Sequence, residues 1–265
     1  RVWFSKMGST ALIRRKQLDA ANCELGLNLV LDLIRQKVNN QLAFLKKLKY
    51  ARPDKKELFQ APLNTIEGSL EALDRNFKDL DESRLIIMGL EGTAGRAYFS
   101  CISKIMPEKF RFKGRSKRPA KNQFNAVLNY CYGVLYSRVE KACIIAGLDP
   151  FVGFMHTDNY NKKSLVFDLI EPFRIFAEQT AVYLFTGKKA KNEYFDIKEH
   201  SCSLNDKGKP VVIESLNRHL EEKVRYKRRN VKRKYIISHE AHKLANILLE
   251  DEAMAHPEWL DIKEF

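Results

Sequence analysis

Three carboxylates and one imidazole carry the chemistry this sequence could perform. Asp168 and Glu171 stand three residues apart in the stretch Ser164-Leu-Val-Phe-Asp-Leu-Ile-Glu-Pro-Phe-Arg174, a spacing that places both on one face of a helix. Leu165, Val166, Leu169, Ile170 and Phe173 fill much of the remaining surface, so the helix is expected to be buried, and two buried acids are costly unless a cation compensates them. That cation is either a divalent metal or a basic side chain, with Arg174 the nearest candidate. His156, in the loop Gly153-Phe-Met-His-Thr-Asp158, adds an imidazole; carboxylates with an imidazole suit Mn²⁺ or a transition metal, and less often Mg²⁺. Glu91 lies in an apolar helical stretch between Ile87 and Ala94. Gly92 and Gly95 beside it predict the close approach of another backbone and room next to the acid.

The elements that must position these residues are helical. Leu27, Val30, Leu31, Ile34, Val38, Leu42, Leu45 and Leu48 step by three or four, predicting one long helix over residues 22 to 49. Leu63, Ile66, Leu70, Leu73, Phe77 and Leu80 predict a second helix, with Pro62 at its first position. The same period recurs over residues 83 to 105, 122 to 147, 164 to 186 and 232 to 250. Ser164 is the expected N-cap of the acid-bearing helix, and Pro172, lacking an N–H, predicts a kink beside the acids. Strand-like alternation is confined to Val2-Trp-Phe4 and residues 209 to 213, while residues 187 to 210 read as a loop-rich connection. The fold class is therefore mainly α, a helical bundle.

Hydrophobic residues make up 45% of the 265 positions, enough for a sizeable core. Against 33 acidic residues stand 47 Lys and Arg, a net charge of +14 that favours phosphate-rich partners, nucleic acid first. The basic residues cluster. Lys109, Arg111, Lys113, Arg115, Lys117, Arg118 and Lys121 fall between two predicted helices, interleaved with Phe110 and Phe112. Lys223, Arg225, Lys227, Arg228, Arg229, Lys232, Arg233 and Lys234 form a second tract around Tyr226, with no acid. Cations with aromatics suit nucleic-acid backbones and unstacked bases, so Arg111, Arg115, Arg118, Lys223, Arg225, Lys227, Arg228 and Arg229 are the candidate DNA contacts.

Other chemistries fail on spacing. Gly92-Thr-Ala-Gly95 lacks the Gly-Lys-Ser/Thr ending of a phosphate-binding loop, and His239-Glu-Ala-His242 is one residue short of the two-imidazole zinc motif. His200, His219 and His256 have no companions. The five cysteines are odd in number and form no C-x-x-C pair, which fits core thiols in a reducing cytoplasm. No apolar run approaches the ~18 residues that span a bilayer.

Five ordered stretches resemble one family: L-E-G-x-A-x-R-x-Y-F at Leu90 to Phe99, F-x-x-R-x-x-R-P at Phe112 to Pro119, N-A-V-L-N-Y at Asn125 to Tyr130, A-G-L-D-P-x-x-G-F-M-H at Ala146 to His156, and S-L-V-F-D-L-I-E-P-F-R at Ser164 to Arg174. They are similar to the CRISPR-associated adaptation integrase family, over roughly residues 12 to 250. The resemblance implies an N-terminal β domain and a C-terminal α-helical catalytic domain. It also implies a site in which Glu91, His156 and Glu171 hold Mg²⁺ or Mn²⁺ and Asp168 is an adjacent acid of open role. Implied too are a homodimer, a small ferredoxin-like partner protein, protospacer duplex and CRISPR-repeat DNA as substrates, and transesterification by a protospacer 3′-hydroxyl during spacer acquisition. Only a short stretch precedes the first long helix. Residues 1–14 are therefore expected to be a β-domain remnant or linker and 15–265 the catalytic domain, cut from a longer chain or from a fusion with a reverse transcriptase. The rival readings are a transposon-encoded integrase of the same superfamily, a branched-DNA nuclease, and a basic helical scaffold that binds nucleic acid without catalysis.

Overall fold

The computed structural model describes residues 10–156 and 160–249. Nine α-helices and two small hairpins make up the fold among them, in the order α1 (Thr10–Ala20), α2 (Glu24–Tyr50), α3 (Glu57–Leu73), α4 (Leu80–Ile105), α5 (Gln123–Ile145), α6 (Ser164–Leu169), α7 (Arg174–Thr186), β1 (Phe195–Lys198), β2 (Ser201–Leu204), α8 (Gly208–Glu221), β3 (Lys223–Tyr226), β4 (Arg229–Lys232) and α9 (Arg233–Leu249). The mainly α class holds. None of these helices is long and apolar enough to cross a membrane.

Helix α2 is the axis of the bundle. Its predicted stripe is buried, and Leu29, Leu33 and Phe44 on other faces are buried as well. A helix apolar on most sides must be surrounded: α3, α4, α7 and the 3-10 turn Glu171–Phe173 all pack on it. Helix α5 packs against α7, α9 and β2, completing the core around Phe124, Phe176 and Phe185. Asp79 caps α4 by accepting from the amides of Asp81 and Glu82, and Asn122 caps α5 by accepting from Asn125.

Several expectations are corrected. Helix α3 begins at Glu57, so Pro62 lies inside it rather than at its start; the missing N–H frees the carbonyl of Leu58, which accepts from the Cys101 thiol at 3.7 Å instead. Residues 209 to 213 are helix, not strand. Asn205 Oδ1 accepts from the amides of Lys207 and Gly208, Pro210 falls in the first turn, and Val212, Leu216 and Leu220 recur at helical spacing on the buried side. The β-branched run Val211-Val-Ile213 favours extended backbone locally, and the packing of α8 overrides it. Within the loop-rich connection, β1 and β2 pair antiparallel from Phe195↔Leu204 to Lys198↔Ser201. Of the supposed β-domain remnant, Val2-Trp-Phe4 lies outside the described residues and Thr10 to Arg14 belong to α1. Cys101, Cys131, Cys143 and Cys202 are buried free thiols and Cys23 is exposed; burial pushes the Cys131 and Cys143 thiols up to about 12.

Candidate active site

The expected single acid-bearing helix is broken in two. Helix α6 ends at Leu169, a 3-10 turn runs from Glu171 to Phe173, and α7 starts at Arg174. Pro172 cannot donate to a helical acceptor, and the backbone tightens there, with Phe173 N donating to Ile170 O at 2.9 Å. Asp168 and Glu171 therefore serve different neighbours.

Asp168 is 1% exposed and organises the loop before α6. Its Oδ2 accepts from the amides of Phe154 (2.6 Å) and Met155 (3.0 Å), and its Oδ1 accepts from the His156 amide (3.1 Å) and pairs with His156 Nδ1 (2.5 Å). Gly153 is required for this approach, since a Cβ there would lie 2.6 Å from Ser164 Cβ and 2.9 Å from Asp168 Oδ2. From the other side Arg84 of α4 donates to the carbonyls of Phe154 (2.5 Å) and Met155 (2.6 Å). The loop is thus held by both its N–H and C=O groups. A carboxylate that accepts from Nδ1–H fixes the imidazole tautomer with the Nε2 lone pair free, the arrangement of a histidine ligand or base.

Glu171 and Glu91 converge on a single cation. Lys37 Nζ donates to Glu171 Oε2 at 2.5 Å and also to Glu91 Oε1. Arg174 binds Glu171 in a two-point fork, Nε and a terminal guanidinium nitrogen each at 2.9 Å. Its guanidinium donates to the Tyr136 hydroxyl at 3.0 Å and lies 4.7 Å from the centre of the Tyr132 ring. Burial drives the Glu171 carboxyl toward the neutral form, but Arg174 and Lys37 outweigh it and hold the group down at about 2. Because this value is depressed from 4.5, the stabilisation by the ion pairs is fully present above that pH and is lost as pH falls through about 2.

Sequence reasoning named Arg174 but missed Lys37, Asn40 and Gln41. These lie at i, i+3 and i+4 on buried α2 and form a polar seam along the 3-10 turn and α7. Asn40 donates to Pro172 O at 2.9 Å, and Gln41 donates to Glu178, which also accepts from the Tyr132 hydroxyl at 2.8 Å. Three polar residues in register inside an otherwise apolar pattern were the available signal. No other backbone approaches Gly92 or Gly95. A Cβ at either would meet only the Arg96 side chain or Glu91 Oε1, so the predicted room beside Glu91 is there and the close approach is not.

Among the described residues, no three His, Cys, Asp or Glu side chains stand close enough to hold an ion in this arrangement. The structure gathers Glu91 with Glu171 through Lys37, and His156 with Asp168. The donor chemistry nevertheless fits a divalent cation: two carboxylates already close around one positive charge, and the tautomer of His156 leaves Nε2 available.

The basic tracts change character in three dimensions. Phe110 and Phe112 are core residues, with Phe110 edge-on to Phe185 and Phe112 stacked on Phe124 at 4.4 Å, so they offer no surface to bases. Tyr226 is likewise buried, its hydroxyl donating to Glu240. Arg115 works inside the fold, donating to Asn125 and, at 2.9 Å, to Asn129, between the rings of Phe99 and Tyr132. Arg111 and Arg118 remain exposed. The second tract is the β3–β4 hairpin, paired from Lys223↔Lys232 to Tyr226↔Arg229. Its two-residue turn is Lys227-Arg228, with φ of 45° and 66°, the left-handed geometry that glycine and asparagine normally supply. Lys227, Lys232, Arg233 and Lys234 pair with Glu240, Glu221 or Glu222. Lys223, Arg225, Arg228 and Arg229 are exposed and make no ion pair among the described residues.

Comparison with known proteins decides the family. The sequence model described as "CRISPR associated protein Cas1" matches residues 1–218, which include every residue of both pairs. The chain belongs to the Cas1 family. It is 35% identical over 241 residues to "CRISPR-associated endonuclease Cas1 1" of Archaeoglobus fulgidus, covering 84% of this chain and 68% of that protein. It is 32% identical over 214 residues to a "CRISPR-associated exonuclease Cas4/endonuclease Cas1 fusion" of Leptospira interrogans, covering 79% of this chain and 39% of that one. The Cas1 chain thus spans from well under half to about two thirds of these relatives. Among solved structures the fold matches "Casposase bound to integration product" with a TM-score of 0.81 at 24% identity, covering 94% of this chain and 72% of that chain. It matches a Cas1 protein from Thermotoga maritima with a TM-score of 0.78 at 22% identity, covering 96% and 76%.

Proposed function

We propose that this Cas1 chain carries the catalytic centre of a metal-dependent DNA endonuclease and integrase that joins protospacer 3′ ends to a CRISPR repeat. The supporting observation is that a Cas1 sequence holds two pre-set groups: the Glu91–Lys37–Glu171 cluster, and His156 with its tautomer fixed by Asp168. The reaction is an in-line transesterification. A 3′-hydroxyl attacks the repeat phosphodiester, the new P–O bond replaces the one to the leaving 3′-oxygen, and cleavage of branched DNA is the same exchange run backwards or with water. Mg²⁺ or Mn²⁺ held by Glu91, His156 and Glu171 would polarise the phosphoryl oxygen and lower the pKa of the attacking hydroxyl. Arg174 supplies a fixed positive charge beside the reacting phosphate, and Asp168 keeps Nε2 of His156 aimed away from the loop.

DNA is held by Lys223, Arg225, Lys227, Arg228 and Arg229 of the hairpin, with Arg111 and Arg118 across the basic loop. Arg115 supports that loop from within. Replacing Lys223, Arg225, Arg228 and Arg229 together by Gln is expected to weaken duplex binding and to flatten the dependence of log K on log[salt] by about 0.9 for each phosphate no longer neutralised. An unchanged slope in a salt titration returns the hairpin to an ordinary solvated face. A homodimer flanking a small ferredoxin-like protein, with a reverse transcriptase fused or associated, completes the reading. A "Cas6-RT-Cas1--Cas2 complex" has the same fold over 95% of this chain at 21% identity, with a TM-score of 0.77, covering 27% of that chain.

The test is a strand-transfer assay with a short duplex bearing free 3′-hydroxyls and a plasmid carrying a repeat, run with Mg²⁺, with Mn²⁺ and with EDTA. Covalently joined product with an ion and none with EDTA is expected. DNA binding with no joined or cleaved product under any ion would leave the non-catalytic scaffold as the reading.

A further inference from the structure

A lysine inside an acid site is costly, and Lys37 is an unusual one. Its side chain is 11% exposed on α2, the axis of the bundle, and the only ion pairs it makes among the described residues are to Glu91 and Glu171. Without it two carboxylates would face each other across a short gap, where like charges repel. Lys37 therefore stands where a divalent cation would serve the same two oxygens. Resting on the metal-site reading above, we propose that Lys37 is a resident cation of the Glu91–Glu171 pair, and that a divalent ion binds by displacing its ammonium.

Three observations support displacement over co-binding. Glu91, Glu171, Lys37 and Arg174 carry charges that cancel; a divalent ion added to all four would leave +2, whereas exchange for Lys37 leaves +1, which one phosphodiester neutralises. Arg174 is fixed by its fork on Glu171, by the Tyr136 hydroxyl and by the Tyr132 ring, while Lys37 makes no comparable set of contacts and has a flexible stem, so it is the cation able to leave. The Glu91 end of the pair is open: its side chain is 27% exposed, and even a Cβ added at Gly95 would come no nearer than 3.9 Å to its Oε1. The consequence is a carboxylate pair that is gathered without metal and whose metal affinity is set by competition with the protein's own ammonium. Folding does not wait for the ion, unlike in domains where the metal alone gathers its ligands.

The experiment uses the full chain stripped with EDTA. Mn²⁺ binding is measured by titration calorimetry, and melting temperature is measured with and without Mn²⁺, for wild type, Lys37→Met, Lys37→Gln and Lys37→Arg. Both neutral variants are expected to melt lower than wild type without metal, to bind Mn²⁺ at least tenfold more tightly, and to gain more in melting temperature on adding it. Lys37→Arg, which keeps the charge, is expected to bind no more tightly than wild type. Should Lys37→Met not fold, Lys37→Gln and Lys37→Arg decide the same comparison. Equal or weaker Mn²⁺ binding by the neutral variants overturns the competition and leaves the metal site standing; absence of Mn²⁺ binding in all four proteins overturns both.

Discussion

Glu171→Gln is expected to lower strand transfer by at least about 10²–10³-fold, the scale of losing one preorganised electrostatic group at a reacting phosphate, while duplex binding stays within a few-fold of wild type. The choice of Gln matters. Glu171 accepts from Lys37 and takes the two-point fork of Arg174, so Glu171→Ala would leave buried Arg174 without its carboxylate and Lys37 with Glu91 alone, a loss of about 3–5 kcal/mol that unfolding alone could turn into inactivity. Gln keeps the volume and one acceptor oxygen and removes the charge. His156→Ala should give a similar loss with less effect on stability, because the imidazole is partly exposed and the loop backbone remains held by Asp168 and Arg84. The assay is the strand-transfer reaction, with melting temperature as the control for folding. Activity within threefold of wild type in both variants would remove these residues from the chemistry.

The helices and the candidate site residues were legible in the sequence because both rest on local information. A 3.6-residue period over α2 or α5 survives any tertiary arrangement, and the motifs around Glu91, His156 and Glu171 stand in contiguous stretches. What was not legible depended on chain segments far apart. Lys37 reads as one more cation on an amphipathic helix until α2 is found enclosed by α3, α4 and α7. Phe110 and Phe112 look like stacking surfaces in a basic loop, since composition does not say which way a loop side chain points; the fold turns both toward Phe124 and Phe185. The hairpin at Lys223 to Lys232 lacks the Asn-Gly signal of its turn type, so it was seen as charge and not as paired strands.

The role of Asp168 was the question the sequence left open, and its hydrogen bonds suit a positioning residue whose loss is expected to be felt in two independent measurements. Four N–H groups, three from the backbone and one from His156, end on its two oxygens. Asp168→Ala would orphan several of them in a buried loop, and about 1–3 kcal/mol for each unsatisfied group makes a total loss of roughly 3 kcal/mol or more, read as a fall in melting temperature. Asp168→Asn is the more informative change. Either orientation of the amide sets its NH₂ against donors, so if that group faces His156 the imidazole must move its proton to Nε2 and accept through Nδ1. Nε2 is then no longer a lone pair, and activity is expected to drop about 10–100-fold, the usual effect of losing the partner that orients a histidine. ¹⁵N chemical shifts of the His156 ring report the tautomer directly. A merely structural carboxylate would lower the melting point and leave that tautomer unchanged; retention of Nδ1–H with near-wild-type strand transfer in Asp168→Asn would show that Asp168 supports the loop and does not set the chemistry of His156.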